Sequence, residues 1–338
     1  MGVRFSLPAQ MKIPLLVILG PTATGKSDLA VEVAHRIGGE IISADSRQVY
    51  KGLDIGTGKI THEEMRGIPH YCLDIANPHN RFTVMDWKKA AEEAIEKINS
   101  SGKIIAENKS GHKKLPIICG GTGFYISTLV DDLGFPDIEN DPAEQEVLEA
   151  KDVDELFVEL QKLDPRRAKD MEKNKRRIIR AILVARKLGA VPELKMDSSD
   201  SKYETVMIGL SMSDEDLKRR IKDRVLKRLD EKCAGGMIKE AEKLHAGNAG
   251  IGDGLSYERM EELGLEYRYL ARYLQGQITR EDFIEQLSTK IWQYARRQKT
   301  WFKRDNRIEW FDPRDPMTVD KICKNIERGI HSRTPLPN

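Results

Sequence analysis

Residues 15 to 34, LLVILGPTATGKSDLAVEVA, constrain the fold of this chain more than any other stretch. A short apolar strand runs into Gly20-Pro21-Thr22-Ala23-Thr24-Gly25-Lys26-Ser27, which satisfies G-x-x-x-x-G-K-[ST], and a helical pattern follows. Glycines let backbone N–H groups converge on phosphate oxygens, the helix N-terminus adds partial positive charge, Lys26 adds a full one, and Ser27 can hold Mg²⁺. All eight residues are therefore candidates for cradling phosphate groups. The competing reading is a chance match in an ordinary strand-to-helix turn, which the flanking strand and helix disfavour.

The rest of the chain decides what such a loop serves. Apolar, β-branched runs at 15 to 20, 40 to 45 (EIISAD) and 115 to 121 (LPIICGG) read as buried parallel strands. Helical patterns lie between them, from Asp28 to Ile37 and through Val84, Trp87, Ala91, Ile95 and Ile98. Strand alternating with helix predicts an α/β fold, a P-loop NTPase-like parallel sheet flanked by helices. Residues 137–202 carry charged helical segments such as DVDELFVELQKLD and RRIIRAILVARKLG without a convincing strand, and read as a helical insertion domain. YETVMIGLSM at 203 to 212 re-enters the sheet, a charged helix runs from Asp214 to about Leu229, and 257 to 310 reads as helical throughout. The expected organisation is a catalytic core of 11–136 and 203–311, the insertion of 137–202 and a tail of 312–338. MDSSDSK at 196 to 202 is the best linker, and TPLPN the expected mobile end.

Composition narrows the setting. Of 338 residues, 39% are hydrophobic and 33% charged, which excludes disorder as the main character of the chain. No apolar run approaches the ~20 residues of a bilayer span. The balance of 56 Lys and Arg against 54 Asp and Glu gives +2, so any basic surface for nucleic acid has to be local. Cys72, Cys119, Cys233 and Cys323 form no C-x-x-C pair, which argues against zinc and for reduced thiols in a cytoplasm. MGVRFSLPAQ lacks the apolar segment of a secretory signal, and Met11 is an alternative start.

A typical NTPase of this class has an apolar strand ending in a Mg²⁺-binding Asp. Here LPIIC ends instead in Gly120-Gly121-Thr122-Gly123, and the carboxylate stands at the end of another strand, as Asp45 in ISADSRQVY. Both strand ends belong to the side of a parallel sheet where ligands bind. Thr122 reads either as a site residue, with the glycines admitting a ligand, or as a helix cap; Asp45 reads either as a site carboxylate beside the phosphate loop or as a strand-end cap or outer Mg²⁺ partner.

Together these residues resemble one family, the tRNA dimethylallyltransferases, also called tRNA isopentenyltransferases. The likeness runs through GPTATGKS, ISADSRQVYKGLDIGTGK, PHYCLDI, LPIICGGTGFYI, RRIIRA, IGLSMSDEDLKRRIKDRVLKRL and YARRQKTWFKRD, in order, from about residue 13 to residue 311. The resemblance implies that the loop holds the diphosphate of dimethylallyl diphosphate. It also implies transfer of the dimethylallyl group to N6 of the adenosine 3′ of a tRNA anticodon, position 37, in tRNAs reading codons that begin with U. Asp45 is then the general base, Thr122 hydrogen-bonds near the bridging diphosphate oxygen, Arg224 reaches the diphosphate, and Asp45, Ser46, Arg47 and Gln48 line the meeting point with the flipped base. Read without the resemblance, Arg220 and Arg224 share a helix face that usually lies in water.

For the tRNA side, a projection of 288 to 304 puts Ile291, Tyr294, Ala295, Gln298, Trp301 and Phe302 on one face, which reads as core. Arg296, Arg297, Lys299, Lys303 and Arg304 fall on the other and suit phosphate contacts, with Trp292 among them as a candidate for base stacking. Lys173, Lys175, Arg176, Arg177 and Arg180 match a family segment for tRNA contact, the alternative being a solvated helix. Two departures stand out: KIIAENKSGHKK at 103 to 114 interrupts the approach to the Gly-Gly-Thr strand, and Gly264-Leu265-Glu266 replaces the family's usual Gly-Tyr and basic residue. The zinc-finger extension of eukaryotic relatives is absent, which fits a bacterial type. The expected partners are the tRNA anticodon stem-loop, dimethylallyl diphosphate and Mg²⁺, with a monomer as the expected state. The rival readings are adenylate dimethylallyltransferase, which has no use for the insertion and the basic helix, and a small-molecule kinase that takes ATP.

Overall fold

The structure is a computed structural model that describes residues 12–100, 114–133, 141–169, 171, 173–192, 201–230 and 235–331. Of the expected linker at 196–202 only Ser201 and Lys202, and of the insertion at 103–114 only Lys114, fall among them, and the TPLPN end lies outside. The chain divides into one unit of 1–132 and 198–338 and a second of 133–197.

The first unit is built on six strands: β1 (Ile13–Leu19), β2 (Gly39–Ala44), β3 (His70–Tyr71), β4 (Leu115–Gly120), β5 (Tyr203–Leu210) and β6 (Ile308–Phe311). All pair in parallel, in the order β3-β2-β4-β1-β5-β6. Side chains alternate across a strand, and the sequence exploits this on both faces. Leu15, Val17 and Leu19 enter one core with Ile42, Ile118 and Met207. Leu16 and Ile18 enter the other with Ile41, Ile117 and Ile208. A sheet apolar on both sides has to be covered on both sides. Helix Lys26–Ile37 supplies Leu29, Ala30, Val33 and Ala34 to the second core. Val84–Ser100 and Arg280–Phe302 cover the first, with Trp87 anchored by its indole N–H donating to the Ser43 carbonyl at 2.8 Å. Helix Asp214–Leu229 packs Leu217, Ile221, Val225 and Leu229, every fourth residue, into that core, while Lys218, Arg219, Lys222, Asp223 and Lys227 face out and Arg220, Arg224 and Arg228 are half-buried between the two faces.

Two expectations are corrected here. The reading of 257 to 310 as helical throughout fails at its end, because the helix stops at Phe302 and Ile308–Phe311 is strand β6, paired to β5. A turn held by Asp305, whose Oδ1 accepts from the Arg307 N–H at 3.0 Å, separates the two. The segment 312–338 is also more than a tail: helix Thr318–His331 packs Ile322 and Ile326 into the second core, and Asp320 pairs with Arg36.

The second unit is helical, as expected, with Pro142–Ala150, Val153–Leu163, Pro165–Lys169 and Lys175–Leu188 around Leu148, Leu156, Leu160, Ile178 and Ile182.

Candidate active site

β1 delivers the chain at Leu19 into the loop, and Lys26 begins the following helix. Gly25 stands at its N-cap with φ 89°, and no side chain caps it, so the first-turn N–H groups keep their capacity to bind an anion. Thr24 is buried and donates its hydroxyl to the Pro21 carbonyl at 2.9 Å, which holds the loop in shape; Lys26 Nζ donates to the same carbonyl at 2.7 Å. Gly20 is needed for a reason unrelated to phosphate: with φ 145°, a Cβ there would sit 2.6 Å from the Leu210 carbonyl oxygen on β5. Thr22 and Gly25 are half-buried, Pro21 and Ala23 buried, and Ser27 exposed at the helix start. Burial pushes the Lys26 ammonium down to about 8, with the Arg224 charge acting in the same direction and that of Asp45 opposing it.

Asp45 follows β2 directly. Its Oδ1 accepts from the N–H groups of Arg47 at 2.8 Å and Gln48 at 3.3 Å, so it does hold the strand-end turn, while its charge reaches Lys26. Thr122 follows β4 and occupies the N-cap of Gly123–Val130, yet its hydroxyl makes no capping hydrogen bond. It accepts from the Ser46 N–H at 3.1 Å and hydrogen-bonds the Tyr294 side chain, tying the ends of β2 and β4 together. The capping reading is thereby displaced. Gln48 donates to the Gly58 carbonyl at 3.3 Å and accepts from Ser43 Oγ at 3.3 Å, and Arg47 reaches toward Gly264, where a Cβ would lie 3.3 Å from its Nη2.

The glycines around Thr122 have a different cause from the one the sequence suggested. A Cβ on Gly120 would stand 2.2 Å from the Ala44 carbonyl oxygen, one on Gly121 2.3 Å from Gln298 Nε2, and one on Gly123 2.3 Å from Trp301 Cδ1. They admit the protein's own chain and side chains.

Gln298 is the residue that sequence reasoning passed over. Buried on helix Arg280–Phe302, it accepts from the Thr22 N–H at 2.9 Å and donates to the Gly121 carbonyl at 2.8 Å, joining the phosphate loop to the end of β4. Its signal was available, since an amide on an otherwise apolar helix face needs buried partners.

Arg224 is half-buried, as are Arg220 and Arg228, which stand one turn to either side. Burial, then the neighbouring Arg228, brings Arg224 down to about 10. Arg220 lies beside the loop, its Nη2 3.6 Å from where a Gly25 Cβ would be. Arg228 donates to the Gly56 carbonyl at 3.0 Å and faces Glu266 at 3.6 Å. The loop bearing Gly56 is further fixed by Glu240, which accepts from the N–H groups of Asp54, Ile55 and Gly56 at 2.6 to 3.0 Å and from Tyr267 Oη at 2.6 Å. Glu266 at the departed turn is thus a buried partner for Arg228. Cations that depress one another's proton affinity around an uncapped helix start make a site that gains from a multivalent anion.

Among the cations expected to meet RNA, Arg296, Arg297, Lys303 and Arg304 are exposed, and Arg297 lies 5.8 Å from the Tyr294 ring centroid. Lys299 pairs with Asp214 at 2.7 Å, which takes it out of the phosphate-facing set. Trp292 is half-buried with Lys218 5.1 Å over its ring, so it is not the open stacking surface expected of it. Trp301, expected in the core, is 37% exposed. In the second unit Lys175, Arg176 and Arg177 open helix Lys175–Leu188 with no acidic residue in its first turn, a placement that opposes the helix dipole. Arg176, Arg177 and Arg180 are exposed, Lys173 pairs with Asp154, and Lys175 donates to the Glu149 carbonyl at 2.6 Å. The described residues contain no group of three His, Cys, Asp or Glu side chains placed to hold a metal, and no helix long and apolar enough to cross a membrane.

Comparison with known proteins gives the family and the fold. The IPP transferase family model matches residues 48–305. The tRNA dimethylallyltransferase of Anoxybacillus flavithermus is 37% identical over 324 residues, covering 94% of this chain and 97% of its own. That of Bacillus subtilis is 34% identical over 332 residues, covering 96% and 99%. Among solved structures, the full-length tRNA isopentenylpyrophosphate transferase from Bacillus halodurans matches with a TM-score of 0.66 at 35% identity, covering 95% of this chain and 98% of its own. A eukaryotic dimethylallyltransferase solved acting on tRNA matches with a TM-score of 0.75 at 27% identity, covering 96% and 81%. The P-loop NTPase-like parallel sheet is the fold these structures share with the chain.

Proposed function

The chain belongs to the IPP transferase family, and from that premise we propose that it transfers the dimethylallyl group of dimethylallyl diphosphate to N6 of the adenosine at position 37 of tRNAs reading codons that begin with U, releasing diphosphate. The observation that carries this reading is the meeting, at adjacent strand ends, of a cationic phosphate loop with Asp45 and Thr122 in place of the NTPase carboxylate.

In the reaction the N6 lone pair attacks C1 of the dimethylallyl group as its bond to the diphosphate oxygen breaks. The exocyclic amine is a poor nucleophile because its lone pair is delocalised into the ring, so Asp45 assists by taking the N6 proton. Negative charge gathers on the leaving diphosphate. The loop N–H groups from Ala23 to Ser27, together with Lys26 and Arg224, stabilise it more in the transition state than in the ground state. Arg220 joins them from the turn before Arg224. Thr122, fixed by Ser46 and Tyr294, orients the bridging oxygen. A Mg²⁺ ion fits the donor set as one carried in by the diphosphate: the exposed Ser27 hydroxyl and phosphate oxygens would hold it, with waters completing the shell. When bound it supplies further positive charge to the leaving group.

The target base has to leave the anticodon stack to reach this site, and residues 45 to 48 line the place where it enters. Arg297 in the first unit and Arg176, Arg177 and Arg180 in the second serve as phosphate contacts that position the RNA without reading its sequence. The buried thiols Cys72, Cys119 and Cys323 support a reducing cytoplasm, and the reading needs no protein partner beyond a monomer. The test is nucleoside mass spectrometry of tRNA incubated with the protein, Mg²⁺ and dimethylallyl diphosphate. N6-dimethylallyladenosine at position 37 is the expected product. Prenylation of AMP in place of tRNA, or phosphoryl transfer from ATP, overturns the proposal.

A further inference from the structure

We propose that Phe124 and Trp301 form a stacking platform for one unpaired nucleobase of the RNA acceptor, next to the base that reacts. The inference rests on the RNA acceptor assigned above. Phe124 is 39% and Trp301 37% exposed, and their rings meet edge to face with centroids 6.4 Å apart. Large aromatics normally bury their faces, so two of them exposed as a pair mark a surface that something covers.

Their position says what. Phe124 is two residues after Thr122, and the indole of Trp301 leans on Gly123, leaving no room for a Cβ. Trp301 stands one turn after Gln298, the residue tied to the phosphate loop, so the platform borders the reacting centre. Around it the charge is positive: Arg297 lies one turn before Trp301 on the same helix, and Lys303 and Arg304 follow it, all exposed. Exposed aromatics interleaved with cations suit a single-stranded RNA loop, in which bases stack on rings and phosphates meet the cations. An occupant of purely apolar chemistry, such as the five-carbon chain of the donor, has no use for that charge.

The experiment measures binding of a labelled anticodon stem-loop by fluorescence anisotropy. It uses RNAs in which each loop nucleotide in turn is abasic, against the full-length protein and its Trp301→Ala, Trp301→Phe and Phe124→Ala variants. Expected are an RNA Kd about tenfold weaker for Trp301→Ala, near-normal binding for Trp301→Phe, and donor KM unchanged. One abasic position should cost the wild-type protein about tenfold and cost Trp301→Ala nothing further. Losses that multiply at every position, or a Trp301→Ala effect confined to donor KM, overturn the platform. A thermal melt checks that each variant folds, and Trp301→Phe keeps a ring against Gly123 where Trp301→Ala does not. Binding is read without turnover, so absent RNA prenylation refutes the assigned reaction, whereas prenylation without this coupling refutes the platform alone.

Discussion

Replacing Asp45 with Asn keeps the shape of the side chain and removes its charge, which separates the turn it holds from the base proposed for it. The amide oxygen can still accept from the Arg47 and Gln48 N–H groups, now at 2.8 and 3.3 Å, so the turn after β2 should survive. Asp45→Ala loses that turn as well, at about 0.5–2 kcal/mol of stability, the usual scale for such a cap. Basicity goes in both variants. A general base contributes about 10²–10⁴-fold, or about 2.7–5.5 kcal/mol of barrier. Donor affinity should move little near pH 7: losing the carboxylate weakens its support of the Lys26 charge but also removes a negative group from the neighbourhood of the diphosphate. The assay is single-turnover prenylation of an anticodon stem-loop with labelled donor at saturation, alongside donor binding and a thermal melt. Asp45→Asn should melt within about 1 kcal/mol of the parent yet turn over at least ~100-fold more slowly. Turnover within tenfold of the parent, or a loss that merely follows weakened donor binding, refutes the assignment of the base.

The remaining predictions concern the donor loop and the RNA face. Lys26 in the free protein loses its proton near pH 8, so kcat/KM for the donor should fall as pH rises through that value. Bound diphosphate raises the Lys26 proton affinity, so the decline in kcat should come at higher pH; a flat kcat/KM profile from pH 7 to about 9.5 contradicts the role, and Lys26→Met should remove the limb. Gln298→Ala leaves the Thr22 N–H and the Gly121 carbonyl without their partner, which should cost about 1–3 kcal/mol in denaturant unfolding and raise donor KM while leaving RNA binding unchanged. Gln298→Glu keeps the acceptor for Thr22 but cannot donate to Gly121, so it should resemble Ala more than the parent in both measurements. Arg297→Ala should weaken stem-loop binding for all sequences alike and flatten the salt dependence by about one unit of slope; an unchanged slope would remove Arg297 from the phosphate contacts.

The sheet and its loop were legible because their signals are local: β-branched runs, a fixed glycine spacing and a helix behind it. β3 and β6 were not, since two and four residues hold too little pattern, and β6 follows its helix after a turn of a few residues. Trp301 was misplaced for a geometric reason. At about 100° per residue it sits about 80° from Ile291, at the rim of the apolar arc, where neighbouring elements decide exposure. Trp292 failed likewise, because the ring is covered by a lysine from another helix, Lys218. Gly120, Gly121 and Gly123 stand out in the sequence but their cause does not, since what approaches them comes from residues far away in the chain, Ala44, Gln298 and Trp301. Gln298 was assigned to a face and not to a task, because a helical projection shows where a side chain points but not which backbone groups wait there.

The bridge from Gln298 to Thr22 joins residues 276 positions apart. During synthesis the donor loop therefore leaves the ribosome long before the helix that fastens it, and β1 must wait for both β4 and β5 before its two flanks are paired. Such distant pairings make assembly slow relative to local helix formation. A nascent or truncated chain ending before Gln298 would hold the complete glycine motif and still lack a formed donor site, so the earliest motif in the sequence is among the last to become competent.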